Sequence, residues 1–255
     1  MKNTFQQQNR ILALRIICIS WFSCFLLPII CATNERFRNH AVRDVYVNHF
    51  IDDMDEAGYE VRIGDIEIFS EETCKLPENA FYCLGNNPGS PYAASNIPVI
   101  PGQVPFPYGT RMREDEAIVL IGVTPPLAKY FGFTFYLNNV EYNVGDSNGG
   151  YGKGIPTVIK PEDGRSHIQA SLEDPINPSN MNVTSNGSYD DAFNKDFVLI
   201  SSPDQNIVST IKDQLIKLGV PESIFNVQGL SSETIDFGIE EKHDVVSPLF
   251  RMAFF

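Results

Sequence analysis

Gly145-Asp146-Ser147-Asn148-Gly149 sets a serine at the centre of the G-x-S-x-G pattern, in which a sharp turn exposes the hydroxyl as a nucleophile. Glu240 and His243 follow downstream at a spacing of three, which completes the order serine, acid, histidine. In such a triad His243 would take the Ser147 proton, Glu240 would orient the imidazole and backbone N–H groups would hold the oxyanion. The elbow also needs a helix directly after the turn. The run from Gly150 to Pro156 holds three glycines and ends on proline, so it cannot begin one. A glycine-rich hairpin loop accounts for the same residues.

Gly145-Asp146-Ser147 resembles the nucleophile block of the GDS-type lipases and esterases, and Glu240-x-x-His243 is similar to that family's Asp-x-x-His. The resemblance implies a secreted serine esterase or hydrolase, with Ser147, His243 and Glu240 as its catalytic residues. The family's glycine and Gly-x-Asn-Asp blocks have no counterpart between Ser147 and His243. Other chemistries fit less well. Gly150-x-Gly-Lys153-Gly lacks the spacing and the hydroxyl of a phosphate loop. Asp146-x-Asn148-x-Gly150 carries Tyr151 and Thr157 where a calcium loop needs glycine and glutamate. Asp52, Asp53, Asp55 and Glu56 offer carboxylates to calcium, although acidic clusters of this kind are normally solvated. His40, His49 and His167 have no metal-ligand spacing. No cofactor is therefore expected, and calcium has no further support. Arg111 to Glu116 mixes both signs and predicts a surface salt-bridge cluster.

These residues must be positioned by a chain whose first 32 residues have a distinct composition. Met1 to Arg15 carries Lys2, Arg10 and Arg15 with no acid, and Ile16 to Ala32 is almost wholly apolar. With Pro28 and the small Ala32 ahead of a polar sequence, this predicts a signal peptide cut after Ala32. This seventeen-residue run also reaches the lower limit for a span, so an anchor over residues 11–32 of a single-pass membrane protein is the other use. Cleavage would remove Cys18, Cys24 and Cys31 and leave Cys74 and Cys83, which are expected to pair in an oxidising compartment. A ring of that size contributes about 2.5–3 kcal/mol. Asn182-Val-Thr184 and Asn186-Gly-Ser188 are glycosylation sequons. Losing the three leader cations moves the net charge from −13 to −16. Such an acidic chain excludes nucleic acid and leaves an extracellular ligand or protein as the expected partner, with a membrane only if the leader stays uncut.

The remaining elements read as strands with one clear helix. Residues 45–51 fit a strand or a short helix. Tyr59–Ile63 and Ile66–Phe69 around Gly64-Asp65 predict a β-hairpin that pairs Arg62 with Glu67 and Val61 with Ile68. Six prolines over 86–109 exclude a helix or a central strand and predict an ordered strap, with Tyr92, Phe106 and Tyr108 packed on a sheet. Glu116–Val123 is a strand, and Tyr130–Leu137 alternates so that Phe131, Phe133 and Phe135 share a core face. Thr124 to Phe133 resembles the Pro-Pro to Tyr-Phe-Ser/Gly-Phe strand start of uncharacterised exported β-sandwich proteins, which implies a β-rich unit and no particular chemistry. Residues 140–144 and 157–160 predict further strands around the glycine loop. Phe197–Ser201, a helix opened by a capping box at Ser202 and closed by Gly219 and Pro221, and Ile224–Gln228 form a β-α-β unit. Leu249–Phe255 is an apolar strand that docks in the sheet or marks a shortened form of a longer protein.

Together these readings predict an α+β protein. Leader 1–32 precedes a β-rich, sandwich-like unit (33–160), a polar insertion or linker (161–196) and a C-terminal β-α-β segment with a terminal strand (197–255). The expected function is a secreted or lumenal non-catalytic binding module of unknown ligand, with the serine hydrolase as the alternative.

Overall fold

A single glycine divides the sheet of this protein. The computed structural model describes residues 12–19, 47–69, 92–106, 108–139, 170–183 and 189–253; of 12–19, 138–139 and 170 it describes the backbone. Within these residues run β1 (Leu12–Ile19), α1 (47–56), β2 (Tyr59–Ile68), β3 (Tyr92–Asn96), β4 (Ala117–Val123) and β5 (Tyr130–Asn139). They are followed by β6 (Ala170–Ser171), β7 (Asp196–Ser202), α2 (Gln205–Lys217), β8 (Phe225–Gly229) and β9 (Val245–Ala253). The strand order is β6-β5-β9-β3-β2-β1-β4-β7-β8. The fold is α+β and dominated by strands.

β2 belongs to two sheets. Tyr59 to Gly64 pairs in parallel with β1, and Asp65 to Ile68 pairs antiparallel with β3. Residues 59–68 are thus one bent strand rather than the hairpin the local pattern predicts. At Gly64 a β carbon would stand 2.5 Å from the Asn96 carbonyl oxygen, so the missing side chain lets β3 come close where the pairing changes hands. Each half finds its partner far away in sequence, which is why the Arg62–Glu67 and Val61–Ile68 pairs do not form.

The bend lays one sheet over the other. Ile118, Leu120, Phe197 and Leu199 of the first sheet pack on Phe131, Phe133, Phe135, Phe250 and Met252 of the second. Phe133 sits 4.7 Å from the Phe250 ring and 5.0 Å from Phe197, while Phe131 meets Phe193 edge-on at 5.2 Å. The expected phenylalanine face of β5 is therefore the centre of the core. Burying each such ring contributes about 1.5–3 kcal/mol. β4 and β5, adjacent in sequence, lie in different layers and face each other. On the opposite side of the first sheet, Val47, Phe50 and Met54 of α1 and Ile207, Ile211 and Leu215 of α2 cover Ala117, Val119, Val198 and Ile200. Residues 47–51 are helical, which resolves their ambiguity.

The β7-α2-β8 unit forms as its pattern predicts, with β7 and β8 parallel. Its cap lies two residues later than expected. Asp204 caps α2 by accepting from the Asn206 N–H (2.8 Å), whereas Ser202 donates to the Glu116 carbonyl (2.8 Å) and tethers β7 to β4. β9 docks between β5 and β3.

Three further segments differ from their local reading. The proline-rich stretch contains a central strand after all, because Tyr92–Asn96 fits between Pro91 and Pro98 with no proline inside it. The polar stretch 161–196 contributes Met181, Val183, Ala192 and Phe193 to the core instead of lying wholly on the surface. Leu12–Ile19, part of the leader-like segment, lies between β2 and β4. Among the described residues no helix is long and apolar enough to cross a membrane. Cys74, Cys83, Ser147, Asn186 and the strands expected at 140–144 and 157–160 lie outside the described residues.

Candidate functional site

His243, the histidine of the expected triad, sits in the loop that leads into β9. The loop closes on itself through two bonds: the Asp236 N–H donates to Asp244 Oδ2 (2.9 Å) and the Asp244 N–H donates to the Asp236 carbonyl (3.0 Å). It is also bolted to the strap. The Gly238 N–H donates to the Met112 carbonyl (2.8 Å), Val104 donates to Ile239 (3.1 Å), and Thr110 and Val246 exchange bonds of 2.8 and 2.9 Å. Gly238 is required by a close approach, since a β carbon there would overlap the His243 imidazole.

Arg111 is the clamp of this assembly. It is buried, and its guanidinium donates to the carbonyls of His243 (3.1 Å), Glu241 (3.1 Å) and Val104 (3.0 Å). One planar fork thus ties loop to strap. Glu116 is buried as well, with its Oε1 3.1 Å from Arg113 Nε, and Arg113 also pairs with Asp115. The salt-bridge cluster that the mixed charges of Arg111–Glu116 suggest thus forms around Arg113, but not wholly at the surface. Both ends of the run are interior, because Arg111 and Glu116 bracket the entrance to the buried strand β4.

The acid facing His243 is not Glu240. Glu240 lies on the surface with Oε2 3.0 Å from Lys242 Nζ, and hydrogen bonding to Lys242 holds its pKa below the usual carboxylate range. The carboxylate near the imidazole is Asp236, with Oδ2 3.9 Å from His243 Nδ1. That separation exceeds a hydrogen bond, and Nδ1 is buried without a hydrogen-bond partner among the described residues. Packing against Gly238 orients the ring, so its fixed position does not depend on a carboxylate. Beneath it, burial pushes the Asp244 carboxyl above its ordinary pKa. The Asp236 charge adds to that rise, while the Asp236 N–H, His243 and Arg111 oppose it.

Asn182, the first sequon asparagine, is engaged with β8. Its Nδ2 donates to the Phe225 carbonyl (2.9 Å), and its backbone exchanges bonds of 2.7 and 3.0 Å with the Asn226 amide. The nitrogen that would carry a glycan thus already holds a strand in place. The acids Asp52, Asp53, Asp55 and Glu56 lie on α1 or its end, and among the described residues no group of three or more His, Cys, Asp or Glu side chains could hold a metal.

A second feature, not marked by any motif, is the outer face of β3, β9 and β5. Tyr92, Arg251 and Gly132 stand in one row across the three strands. The Arg251 guanidinium lies 5.2 Å from the centre of the Tyr92 ring, within reach of a cation–π contact. The Tyr130 phenol folds over Gly132 and occupies the space a side chain would take. Tyr108 meets Phe69 edge-on at 4.9 Å, and Tyr136 packs on the same small cluster. Burial and the neighbouring Tyr92 raise the Tyr136 pKa, with Thr134 and Arg251 opposing. The tyrosines are half-buried and Arg251 is exposed. Alternation along β5 foretells that Tyr130, Gly132 and Tyr136 share a face; the partners from β3 and β9 come only from long-range pairing. Comparison of this chain with protein-family models, curated proteins and solved structures finds no match.

Proposed function

We propose that this protein is a non-catalytic binding module whose contact face is the outer side of β3, β9 and β5. The observation that carries this reading is the row Tyr92–Arg251–Gly132, with the Tyr130 phenol closing it. Tyrosine and arginine dominate binding hot spots because they bring large, rigid contact area with polar tips. An exposed guanidinium beside the Tyr92 ring favours a ligand with a flat face and hydrogen-bond acceptors, and the net charge of −13 disfavours a polyanion. A neutral oligosaccharide, whose sugar rings stack on aromatic faces and whose hydroxyls accept from a guanidinium, is the simplest ligand of that kind.

The alternative, a serine hydrolase using Ser147, His243 and Glu240, is less well supported, since Glu240 is paired with Lys242 and His243 Nδ1 has no acid within hydrogen-bond reach. Two measurements on the folded full chain test the choice. Binding of a neutral oligosaccharide such as cellohexaose over oligogalacturonate, lost in Arg251→Ala, is the expected result. Equal binding by that variant, no binding at all, or fluorophosphonate labelling abolished by Ser147→Ala overturns it.

A further inference from the structure

We infer that Leu12–Ile19 remains in the folded protein as an interior strand of its sheet, filling a strand-acceptor slot between β2 and β4. This goes beyond the binding reading and does not rest on it, because the tyrosine face is built from other strands.

The slot is defined on both sides. Leu12 to Ile17 pairs in parallel with Tyr59 to Gly64, and Leu14 to Ile19 pairs in parallel with Ala117 to Gly122. Ile16 thus stands between Ile63 and Val119. Neighbouring strands lie about 4.8 Å apart, so without β1 the backbones of β2 and β4 would be roughly 10 Å apart, too far to pair. Both would then present rows of unpaired N–H and C=O groups in the middle of the protein. The sequence suits the slot. LALRIICI is apolar but for Arg15, and Ile16, Ile17 and Ile19 are β-branched, as strands of parallel, two-face-covered sheets are. The connection suits it too. Parallel strands need a crossover of a dozen or more residues, usually with a helix. Residues 20–58 supply that length, and α1 lies within them, packed on the first sheet.

The consequence is an exclusive choice. The same apolar segment is either removed as a leader, kept in a bilayer as an anchor, or built into the sheet; it cannot serve the last role together with either of the first two. The geometry of β2 and β4 selects the sheet.

The test uses the full chain expressed from its own Met1. Intact mass gives the first residue of the folded product, and amide exchange reads residues 12–19. The inference expects a product that contains Leu12–Ile19, with amides slowed at least about a thousandfold, as in the stable core. It also expects Ile16→Pro, which removes an N–H from an interior ladder, to speed exchange in β2 and β4 together. Because that variant can fail to fold altogether, exchange in the unmodified chain is the deciding measurement. A product that begins at Thr33 and still melts cooperatively overturns the inference. So does one that begins at Thr33 and fills the slot by dimerising, or amides at 12–19 that exchange at the rate of an unstructured chain.

Discussion

Replacing Arg111 by alanine should unfasten the loop at 236–244 from the strap and cost the protein a large part of its stability. The guanidinium makes three hydrogen bonds of 3.0–3.1 Å, all to backbone carbonyls. Bonds to a charged donor contribute about 1.5–3 kcal/mol each. The Glu241 carbonyl belongs to an exposed residue and regains water once the donor is gone, so it adds little. Val104 is exposed as well, so its carbonyl does likewise; the half-buried His243 carbonyl carries most of the effect, which puts the expected loss at about 1.5–3 kcal/mol. Arg111→Lys should recover less than half of it, since an ammonium cannot reach three carbonyls set around a planar fork. Equilibrium urea unfolding gives the energy, and amide exchange at Gly238, Asp244 and Val246 gives the location, because these N–H groups hold the loop and strap together. A loss below about 1 kcal/mol would refute the clamp. An equally large loss that leaves exchange at those three amides unchanged would show that Arg111 acts elsewhere.

Asp244 should make stability fall with rising pH. Burial raises its folded pKa above the unfolded value near 4; its contribution is therefore fully present below that value and lost as pH rises through the folded pKa. Asp244→Asn keeps an oxygen for the Asp236 N–H and cannot ionise, so the stability difference between wild type and variant should shrink or reverse over that window and then level off. Urea midpoints that track each other at every pH would count against it. Gly64→Ala should cost about 1–3 kcal/mol by forcing β2 and β3 apart, as overpacking does, because the added carbon meets a backbone oxygen that has nowhere to move. Gly58→Ala, at φ +89° with open space around it, should cost only the conformational penalty of about 1–2 kcal/mol. Thermal melts compare the two, and exchange at Ile66 and Ile68 should quicken in the Gly64 variant alone.

What was legible in the sequence was whatever a short window determines. The β7-α2-β8 unit declares itself through a strand run, a helical repeat of Ile207, Ile211 and Leu215, and a stop at Gly219. The alternation of Phe131, Phe133 and Phe135 gives the core face of β5. Even there the window misassigned a detail: Ser202 looked like the cap, but its hydroxyl is bonded to the Glu116 carbonyl and Asp204 caps the helix instead. The hairpin at Gly64-Asp65 failed for a physical reason of the same kind. Glycine followed by aspartate favours a turn between strands that have only each other, and here both halves had better partners, β1 and β3, at long range. Tyr92–Asn96 became central because a ladder needs only a short run free of proline, not a proline-poor region.

The candidate sites obey the same division. A triad can be spelled by spacing, but its working geometry depends on where side chains are spent. Glu240 is spent on Lys242 and His243 packs against Gly238, so the acid and the histidine of the expected triad do not pair with each other, while Ser147 lies outside the described residues. Conversely, Arg251 carries no motif and gains meaning only when β9 comes to lie between Tyr92 and Gly132. The leader-like segment is the sharpest case. A run such as Leu12–Ile19 is apolar for the same reason in a bilayer, a translocation channel or a sheet: its backbone must be buried and paired. Composition identifies that need but not the surroundings that meet it. The ladders offered by β2 and β4 meet it on both sides at once, and that is an argument only tertiary structure can supply.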